Sequence, residues 1–317
     1  MRALVQTRYG GPEALDLRDM PRPEAKAGAI VVKVTACGAN ASDWERLTGR
    51  PAYARMPRLF SSGVRVPGSD VVGVVEAVGA GVEGFAPGMR VVADTFEYWG
   101  GFAEYCAAPA ELWRPVPEGV SDVTAAALPQ SGAIALDGMA GVGAGDAVLI
   151  NGAGGGSGPL AVQLALAAGA EVTAVDNAGK AEALRSLGVQ RVLDYREVDF
   201  AAEGRRYDLI LDLFGSRRMG AVRRALTPGG AYRMVGGEMG AFWSAVAGMA
   251  RGADRQGRRA GLMIARMGPT HLPELLRRAE AGELRPLIGE VAPLEESIGA
   301  LTRMGAGEIS GKLVIVP

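Results

Sequence analysis

A run of glycines near the middle of the chain has the spacing of a phosphate-binding turn. Residues 151–158 read NGAGGGSG, with Gly152, Gly155 and Gly158 at every third position. After a buried strand, the first glycine permits a tight turn, the second lets the backbone approach a pyrophosphate, and the third lets a helix pack closely on the sheet. The free N–H groups at the start of that helix then face the phosphates. We therefore predict cofactor contacts along the whole turn, at Gly152, Ala153, Gly154, Gly155, Gly156, Ser157 and Gly158.

An acidic residue further along supports this prediction. Asp176 lies 18 residues beyond Gly158, at the end of a second apolar strand, EVTAVD. An acid at that place in a dinucleotide-binding domain accepts hydrogen bonds from the ribose of NAD. The patterns G-x-x-x-x-G-K-[ST], Y-x-x-x-K and G-x-S-x-G do not occur, which argues against P-loop NTPases, short-chain reductases and hydrolases with a nucleophile elbow. A glycine-rich turn without a ligand is the alternative.

The segments around the turn have the pattern that such a site needs. AVLIN (147–151) predicts a strand buried on both faces, and PLAVQLALAAG (159–169) predicts a helix that ends at a glycine. Strands and helices then alternate, including a helix over 217–230 and a strand over 231–237. This alternation predicts an α/β fold with a doubly wound parallel sheet over residues 122–240.

The first third of the chain is predicted to be rich in β-strands. AIVVKVTA (29–36), DVVGVVEAVG (70–79) and MRVVA (89–93) are Val-rich runs separated by Gly and Pro turns, which favours a small barrel or sandwich. The tail predicts two helices and a last strand, KLVIV. Residues 237–263 mix apolar side chains with arginines, for which a solvated or packed helix is the simplest interpretation. The alternatives are a helix covering a pocket, a dimer contact or a membrane-surface helix over 241–266.

Composition narrows the possible function classes. The 317 residues suggest about two domains, and one His with two Cys cannot form a disulfide framework or a four-Cys zinc site. A net charge of −1 and 6% aromatic residues argue against a nucleic-acid partner. No run of 18 apolar residues or signal pattern is present, so we expect a cytoplasmic protein without membrane association.

Several other motifs run in a fixed order along the chain. They are PGSDVVGVVEAVG (67–79), GGFAEYCAAP (100–109), AALPQSG (126–132) and GKLVI (311–315). With the glycine-rich turn, they resemble the zinc-independent quinone oxidoreductase branch of the medium-chain dehydrogenase/reductase superfamily. The resemblance implies a GroES-like, β-rich substrate domain formed by residues 1–121 with 267–317, a Rossmann cofactor domain formed by residues 122–266, and a site in the cleft between them.

The resemblance also implies a site without metal. Zinc-dependent members of the superfamily carry a Cys near residue 40 and Gly-His-Glu near residue 69, where this chain has Asn40 and Gly68-Ser69-Asp70. Because zinc needs three or four N, S or O ligands, no metal site is expected. A site without a Lewis acid needs a substrate that accepts hydride readily. The expected function is therefore NAD(P)H-dependent hydride transfer to a quinone or an α,β-unsaturated carbonyl (enone); a non-catalytic nucleotide-binding role is the alternative.

The candidate catalytic residues follow from the same resemblance. Asn40 and Asp43 match its N-x-x-D pattern at the nicotinamide end of the cleft, where the Asn amide can donate a hydrogen bond. A loop-capping role is the alternative for both residues. Tyr53 is a further candidate donor. The remaining predicted cofactor contacts are Ser131, Asn177, Lys180, Tyr195, Phe214, Gly236 and Gly237.

The choice between NADH and NADPH rests on opposing charges. Lys180 and Tyr195 match residues that lie near the 2′-phosphate of NADPH in this branch, whereas Asp176 would repel that phosphate. One like-charge pair at about 4 Å costs roughly 1 kcal/mol in water and roughly 4 kcal/mol at an effective dielectric of 20. We lean slightly to NADH. A homodimer is expected by family analogy alone.

Overall fold

The computed structural model describes residues 1–55 and 65–317. They form two compact units, one of residues 1–133 with 267–317 and one of residues 134–266. The strands, in chain order, are β1 (Arg2–Gln6), β2 (Leu15–Asp19), β3 (Ala29–Ala39), β4 (Asp70–Val78), β5 (Arg90–Asp94), β6 (Tyr105–Pro109), β7 (Arg114–Pro115), β8 (Ala147–Asn151), β9 (Glu171–Asp176), β10 (Arg191–Asp194), β11 (Tyr207–Asp212), β12 (Leu226–Met234), β13 (Arg259–Leu262), β14 (Ile288–Pro293) and β15 (Lys312–Val316). The helices are α1 (Ala41–Thr48), α2 (Asp122–Ala126), α3 (Pro129–Gly138), α4 (Gly158–Ala167), α5 (Ala181–Ser186), α6 (Met219–Arg224), α7 (Met239–Arg251), α8 (Leu272–Glu280) and α9 (Ser297–Gly305).

The first unit is built on β-sheet. Strands β14, β15, β3, β4, β5 and β7 lie side by side in that order, β6 also pairs with β3, and β1 pairs with β2 in a separate antiparallel sheet. Strand β3 is the centre of this unit because it pairs antiparallel with β4, β6 and β15. Phe102 and Trp113 are fully buried in its core. The last strand of the chain is thereby held against the strand that leads into α1.

The second unit contains the predicted parallel sheet. Its strand order is β10-β9-β8-β11-β12-β13, and every neighbouring pair is parallel. Strand β8 has β9 on one side and β11 on the other, so the chain reverses its direction of winding there. Ligands of open α/β sheets bind beyond the carboxyl ends of the strands at such a reversal. The glycine-rich turn follows β8 and therefore lies at this place.

The boundary between the units differs from the predicted one. We expected residues 122–133 to lie in the cofactor domain, but they belong to the first unit, and the boundary falls within α3. The cause is the packing of α2 against β3 and β4. A Cβ added at Gly38 of β3 would lie 2.1 Å from the carbonyl oxygen of Ala126, which shows how closely α2 approaches this strand.

The predicted helix over residues 217–230 is wrong in its second half. Helix α6 ends at Arg224, and residues 226–230 begin β12. Leu226 pairs with Tyr207 of β11, whose N–H donates to the carbonyl oxygen of Ala225 at 2.8 Å. Pro228, Gly229 and Gly230 disfavour a helix, so this part of the segment joins the sheet instead.

The segment over 241–266, which the sequence left open, has two parts. Most of α7 falls in it, and Ala241, Ala245 and Gly248 of that helix are buried. It also contains β13, which extends the parallel sheet by one edge strand. Among the described residues, no helix has the length and apolar character needed to cross a membrane.

Candidate active site and cofactor site

The glycine-rich turn in the second unit has the close packing that its spacing predicts. Gly152 has φ +81°, a left-handed conformation that glycine adopts without strain. A Cβ added at Gly158 would lie 2.2 Å from the carbonyl oxygen of Ala153, so α4 begins where only glycine fits. The N–H groups of Gly156 and Ser157 have no acceptor among the described residues. They are donors available to an anion at the start of a helix.

Asp176 holds this turn in place. Its Oδ2 accepts the N–H of Gly154 at 2.8 Å, and its Oδ1 accepts the N–H of Asn177 at 2.9 Å. The Lys180 ammonium lies 3.5 Å from Oδ1, and both residues of this ion pair are only 7% exposed. The Lys180 charge is therefore directed at Asp176.

The other predicted cofactor residues of the second unit lie along the same edge of the sheet. Tyr195 is 48% exposed after β10, and Phe214 is 59% exposed after β11. Gly236 accepts a hydrogen bond from the N–H of Gly215 at 2.8 Å, and Gly237 forms a parallel bridge with Gly215. The structure thus brings these residues to the carboxyl ends of three strands of the same parallel sheet.

A buried polar triad, which sequence reasoning missed, supports this edge. Asp212 at the end of β11 accepts hydrogen bonds from Asn151 Nδ2 at 2.7 Å and from the Tyr232 hydroxyl at 2.8 Å. Asn151 Nδ2 also donates to the carbonyl oxygen of Phe214 at 3.3 Å. Burial raises the pKa of Asp212, while hydrogen bonds from Asn151 and Tyr232 oppose the shift. An acid at the end of an apolar strand was the available signal, as it was for Asp176.

In the first unit, two of the predicted residues, Asn40 and Ser131, bind the ammonium of Lys312. Its Nζ donates to Asn40 Oδ1 at 2.6 Å, to Asp70 Oδ2 at 3.0 Å and to Ser131 Oγ at 3.0 Å. The side chain of Lys312 is 1% exposed. An ammonium has three protons, and each has an acceptor here. Lys312 therefore has no further donor for a ligand, and its role is to position the groups around it.

The Lys312 cluster fixes the orientation of the Asn40 amide. Because an ammonium only donates, the atom that faces it must be the amide oxygen. The amide nitrogen Nδ2 is shielded from solvent and has no acceptor at hydrogen-bonding geometry among the described residues. Burial raises the pKa of Asp70, and the Lys312 ammonium and the Asn40 amide act in the opposite direction. Asn40 thus carries a donor of fixed direction that acts on the Asp70 carboxylate but has no acceptor at hydrogen-bonding geometry among the described residues.

Asp43 and Tyr53 have other partners. Asp43 accepts the N–H of Asn40 at 2.7 Å and the N–H of Gly68 at 3.1 Å, so its carboxyl joins the start of α1 to the segment before β4. Burial raises its pKa to about 7. The Tyr53 hydroxyl lies 3.3 Å from Glu45 Oε1, on the same helix as Asp43.

The sequence contains a signal for the pairing of Lys312 with Asp70. Each charged residue stands at the start of a Val-rich strand, in KLVIV and DVVGVV. Lys and Asp are almost never fully buried unless they are paired. Two opposite charges in two buried strands therefore predict a pair, but only the strand order shows which strands meet.

Comparison with known proteins identifies the family. The sequence model of the alcohol dehydrogenase GroES-like domain matches residues 26–118, and that of the zinc-binding dehydrogenase family matches residues 187–315. Human quinone oxidoreductase is 32% identical over 330 residues, which cover 100% of this chain and 98% of the human protein. This chain belongs to the medium-chain dehydrogenase/reductase superfamily, in its quinone oxidoreductase-like branch.

Two further relatives extend the comparison. The 2-methylene-furan-3-one reductase of Solanum lycopersicum is 28% identical over 333 residues, which cover 100% of this chain and 79% of that protein. A mycobacterial protein solved in complex with NADPH superposes with a TM-score of 0.84 at 26% identity, covering 100% of both chains. The quinone oxidoreductase-like chain is thus an oxidoreductase with a GroES-like domain and a nucleotide-binding Rossmann domain.

The residues at the expected metal position do not suit zinc. Asn40 and Asp70 already accept hydrogen bonds from Lys312, and Ser69 Oγ accepts one from Gln130 Nε2 at 2.9 Å. Over residues 1–55 and 65–317, no group of three His, Cys, Asp or Glu side chains is placed to hold a metal ion. A neutral amide, a hydroxyl and a carboxylate paired with an ammonium are a poor donor set for zinc, which prefers His and Cys.

Replacing Lys312 by Met should destabilise the first unit strongly. The substitution leaves the Asp70 carboxylate buried without its counter-charge, which typically costs about 3–5 kcal/mol. Denaturant unfolding measures the loss. The matched control is Lys33→Met, since Lys33 is an exposed lysine of β3 and its change should stay within about 0.5 kcal/mol. The double variant K312M/D70L should recover much of the stability. Equal stability of K312M and K33M would refute the role of the Lys312 cluster.

The carboxyl group of Asp43 should titrate near pH 7 instead of near its ordinary value of 3.8. Between these values the unfolded chain ionises Asp43 while the folded chain keeps the proton. The contribution of Asp43 to stability therefore falls as the pH rises through this window and is constant above about pH 7. Carbon-13 NMR of protein labelled at the Asp carboxyl carbon, assigned with Asp43→Asn, measures the midpoint. A midpoint at or below 3.8 would contradict the dominance of burial.

Proposed function

We propose that this chain transfers hydride from NAD(P)H to a quinone or an α,β-unsaturated carbonyl compound without a zinc ion. The Lys312 cluster is the observation that carries the proposal. Where zinc-dependent relatives place metal ligands, this chain has oxygen atoms that bind an ammonium. A carbonyl group at this site would not be polarised by a metal, so the substrate must be electrophilic on its own. Quinones and enones meet this requirement.

The proposed reactions balance with the cofactor as the only reductant. NAD(P)H supplies a hydride when it is bound. With an enone, the hydride forms a bond to the β-carbon and a proton from solvent or the protein adds to the α-carbon, which leaves the saturated carbonyl compound and NAD(P)⁺. With a quinone, addition of the hydride and one proton gives the hydroquinone, and the cofactor becomes NAD(P)⁺.

The chain's own residues provide binding and orientation. The free N–H groups of Gly156 and Ser157 are the donors proposed for the pyrophosphate. Asn40 Nδ2 is the donor proposed for the oxygen that gains negative charge on the substrate, or for the nicotinamide amide oxygen. Because this nitrogen is shielded in the free chain, ligand binding has to open access to it. Lys312 keeps the amide oxygen turned away from that ligand.

For the cofactor, we propose a slight preference for NADH. A 2′-phosphate would meet the Asp176 carboxylate, which the N–H of Gly154 holds in place. Lys180, the expected counter-charge for that phosphate, is buried and paired with Asp176. Arg196, whose guanidinium carbon lies 5.4 Å from the ring centroid of Tyr195, is the group that favours NADPH.

The purified protein should oxidise NADH or NADPH when 1,4-benzoquinone or a conjugated enone is added. Loss of absorbance at the reduced-nicotinamide band measures turnover. Asn40→Ala should lower kcat by about 10²-fold or more, since loss of one oxyanion donor has this effect in other enzymes. Binding of the cofactor without turnover of any quinone or enone would contradict the proposal and favour a non-catalytic nucleotide-binding role.

Asp176→Asn should shift cofactor preference towards NADPH. The variant keeps an oxygen for the Gly154 N–H but removes the charge, so a gain of about tenfold in the NADPH to NADH ratio of kcat/KM is expected for about 1.4 kcal/mol of repulsion removed. The matched control is Asp146→Asn, which removes a charge directly before the first residue of β8, at the end of the strand away from the glycine-rich turn. A wild type that already favours NADPH tenfold would overturn the proposed preference.

A further inference from the structure

Arg46 on α1 holds its guanidinium between two aromatic rings. Its Cζ lies 4.1 Å from the ring centroid of Phe96 and 4.2 Å from that of Trp99. The two rings are tilted at 41° with their centroids 6.4 Å apart, so the guanidinium occupies the angle between them. Both contacts are within cation–π distance. The rings therefore fix the position of a half-buried cation.

The guanidinium keeps most of its hydrogen-bonding capacity unused. It has five N–H donors, and among the described residues it has one acceptor, the carbonyl oxygen of Phe96, 3.4 Å from Nη1. No carboxylate of the described residues forms an ion pair with it. Burial lowers its pKa to about 10, still well above neutral, so the group stays charged. A partly desolvated cation with open donors is a place where an anionic oxygen gains strong hydrogen bonds.

The nearby carboxyl groups do not form an ion pair with Arg46. Asp43 binds two backbone N–H groups, Glu45 accepts from Tyr53, and Asp94 accepts the N–H groups of Phe96 and Gly268. Burial raises the pKa of Asp43 and Glu45 to about 7 and that of Asp94 to about 6. These carboxyl groups are directed to other partners and are partly neutral near pH 7.

The backbone at Trp99 is a second, independent sign of a ligand clamp. Trp99 has φ +64°, and it is the sole non-glycine of the described residues with positive φ. A bulky residue in this conformation is strained, and such residues cluster at binding sites where the surroundings hold them. The backbone N–H of Trp99 donates a hydrogen bond to the carbonyl oxygen of Thr95 at 2.6 Å, which helps to keep Trp99 in this conformation. The strained turn presents the indole ring to Arg46.

The position of this group links it to the candidate active site. Helix α1 carries Arg46 and begins directly after Asn40, the proposed oxygen donor. Phe96 follows β5, whose last residue, Asp94, accepts the Phe96 N–H at 3.0 Å. Arg46 therefore lies on the helix that begins after Asn40. Its two aromatic partners follow β5, the strand that pairs with β4 and Asp70.

We infer that Arg46, held by Phe96 and Trp99, binds a carboxylate of the substrate and selects enones that carry one. This inference rests on the proposed function and names the substrate class within it. The two rings fix the position of the guanidinium, and four of its five N–H donors have no acceptor among the described residues, so it can bind a carboxylate through two parallel hydrogen bonds. A neutral ester or amide gains neither the charge interaction nor both of these bonds.

A matched pair of substrates tests this inference. The wild type should reduce trans-3-benzoylacrylate with a KM at least tenfold lower than that of its methyl ester, at similar kcat. Arg46→Gln should raise the KM of the acid to that of the ester and leave the ester unchanged, and Arg46→Lys should fall between. Arg50→Gln, an exposed arginine just after the same helix, is the control and should behave as the wild type. Equal KM values for acid and ester in the wild type would overturn the inference, as would an equal loss for both substrates in Arg46→Gln.

A measurement without substitution covers the case in which Arg46→Gln does not fold. The saturated acid 3-benzoylpropionate should inhibit the wild type competitively, with a Ki at least tenfold below that of its methyl ester; equal inhibition would overturn the inference. Turnover of neutral 1,4-benzoquinone reports separately on the proposed function. If no substrate is turned over, calorimetric binding of 3-benzoylpropionate to the cofactor-loaded protein still decides the carboxylate site, with binding of the acid but not the ester in support.

Discussion

The buried ion pair between Lys312 and Asp70 joins parts of the chain that are far apart in sequence. Lys312 begins the last strand and Asp70 begins β4, 242 positions apart in the sequence. Removing two charges from water is expensive, and such a pair is tolerated only when its geometry is good and its remaining donors are satisfied. Asn40 and Ser131 satisfy them. The pair therefore dictates where these two side chains lie and how the Asn40 amide is turned.

Other features of the first unit follow from this constraint. A Cβ at Gly38 would lie 2.1 Å from the carbonyl oxygen of Ala126 and 2.8 Å from Lys312 Cε, which explains a glycine in an otherwise Val-rich strand. Asp43 then joins Asn40 to the segment before β4 through two backbone hydrogen bonds. The second unit uses the same principle with carboxylates, since Asp176 and Asp212 hold the loops after the strands by accepting hydrogen bonds from them. In both units, buried charges fix the loops and leave selected N–H groups unpaired.

The sequence predicted those features that depend on local spacing. The glycine-rich turn, the parallel sheet and the α/β class are visible because glycine, apolar runs and their alternation act over a few residues. The Lys312 cluster and the Asp212 triad were missed, because they need strand neighbours that local patterns do not reveal. The helix predicted over 217–230 was wrong for a local reason, because Pro228, Gly229 and Gly230 are poor helix formers and this part of the segment pairs with β11 instead. Arg46 was invisible because its partners, Phe96 and Trp99, lie in a loop without a motif.

The central claim is that a lysine ammonium organises the candidate site where zinc-dependent relatives bind their metal. Diffraction from crystals grown with NADH and a zinc salt, collected on both sides of the zinc absorption edge, tests it most directly. The account predicts Lys312 Nζ bonded to Asn40, Asp70 and Ser131, with no anomalous peak among them. An anomalous peak bound by Asp70, with the Lys312 side chain displaced, would contradict it.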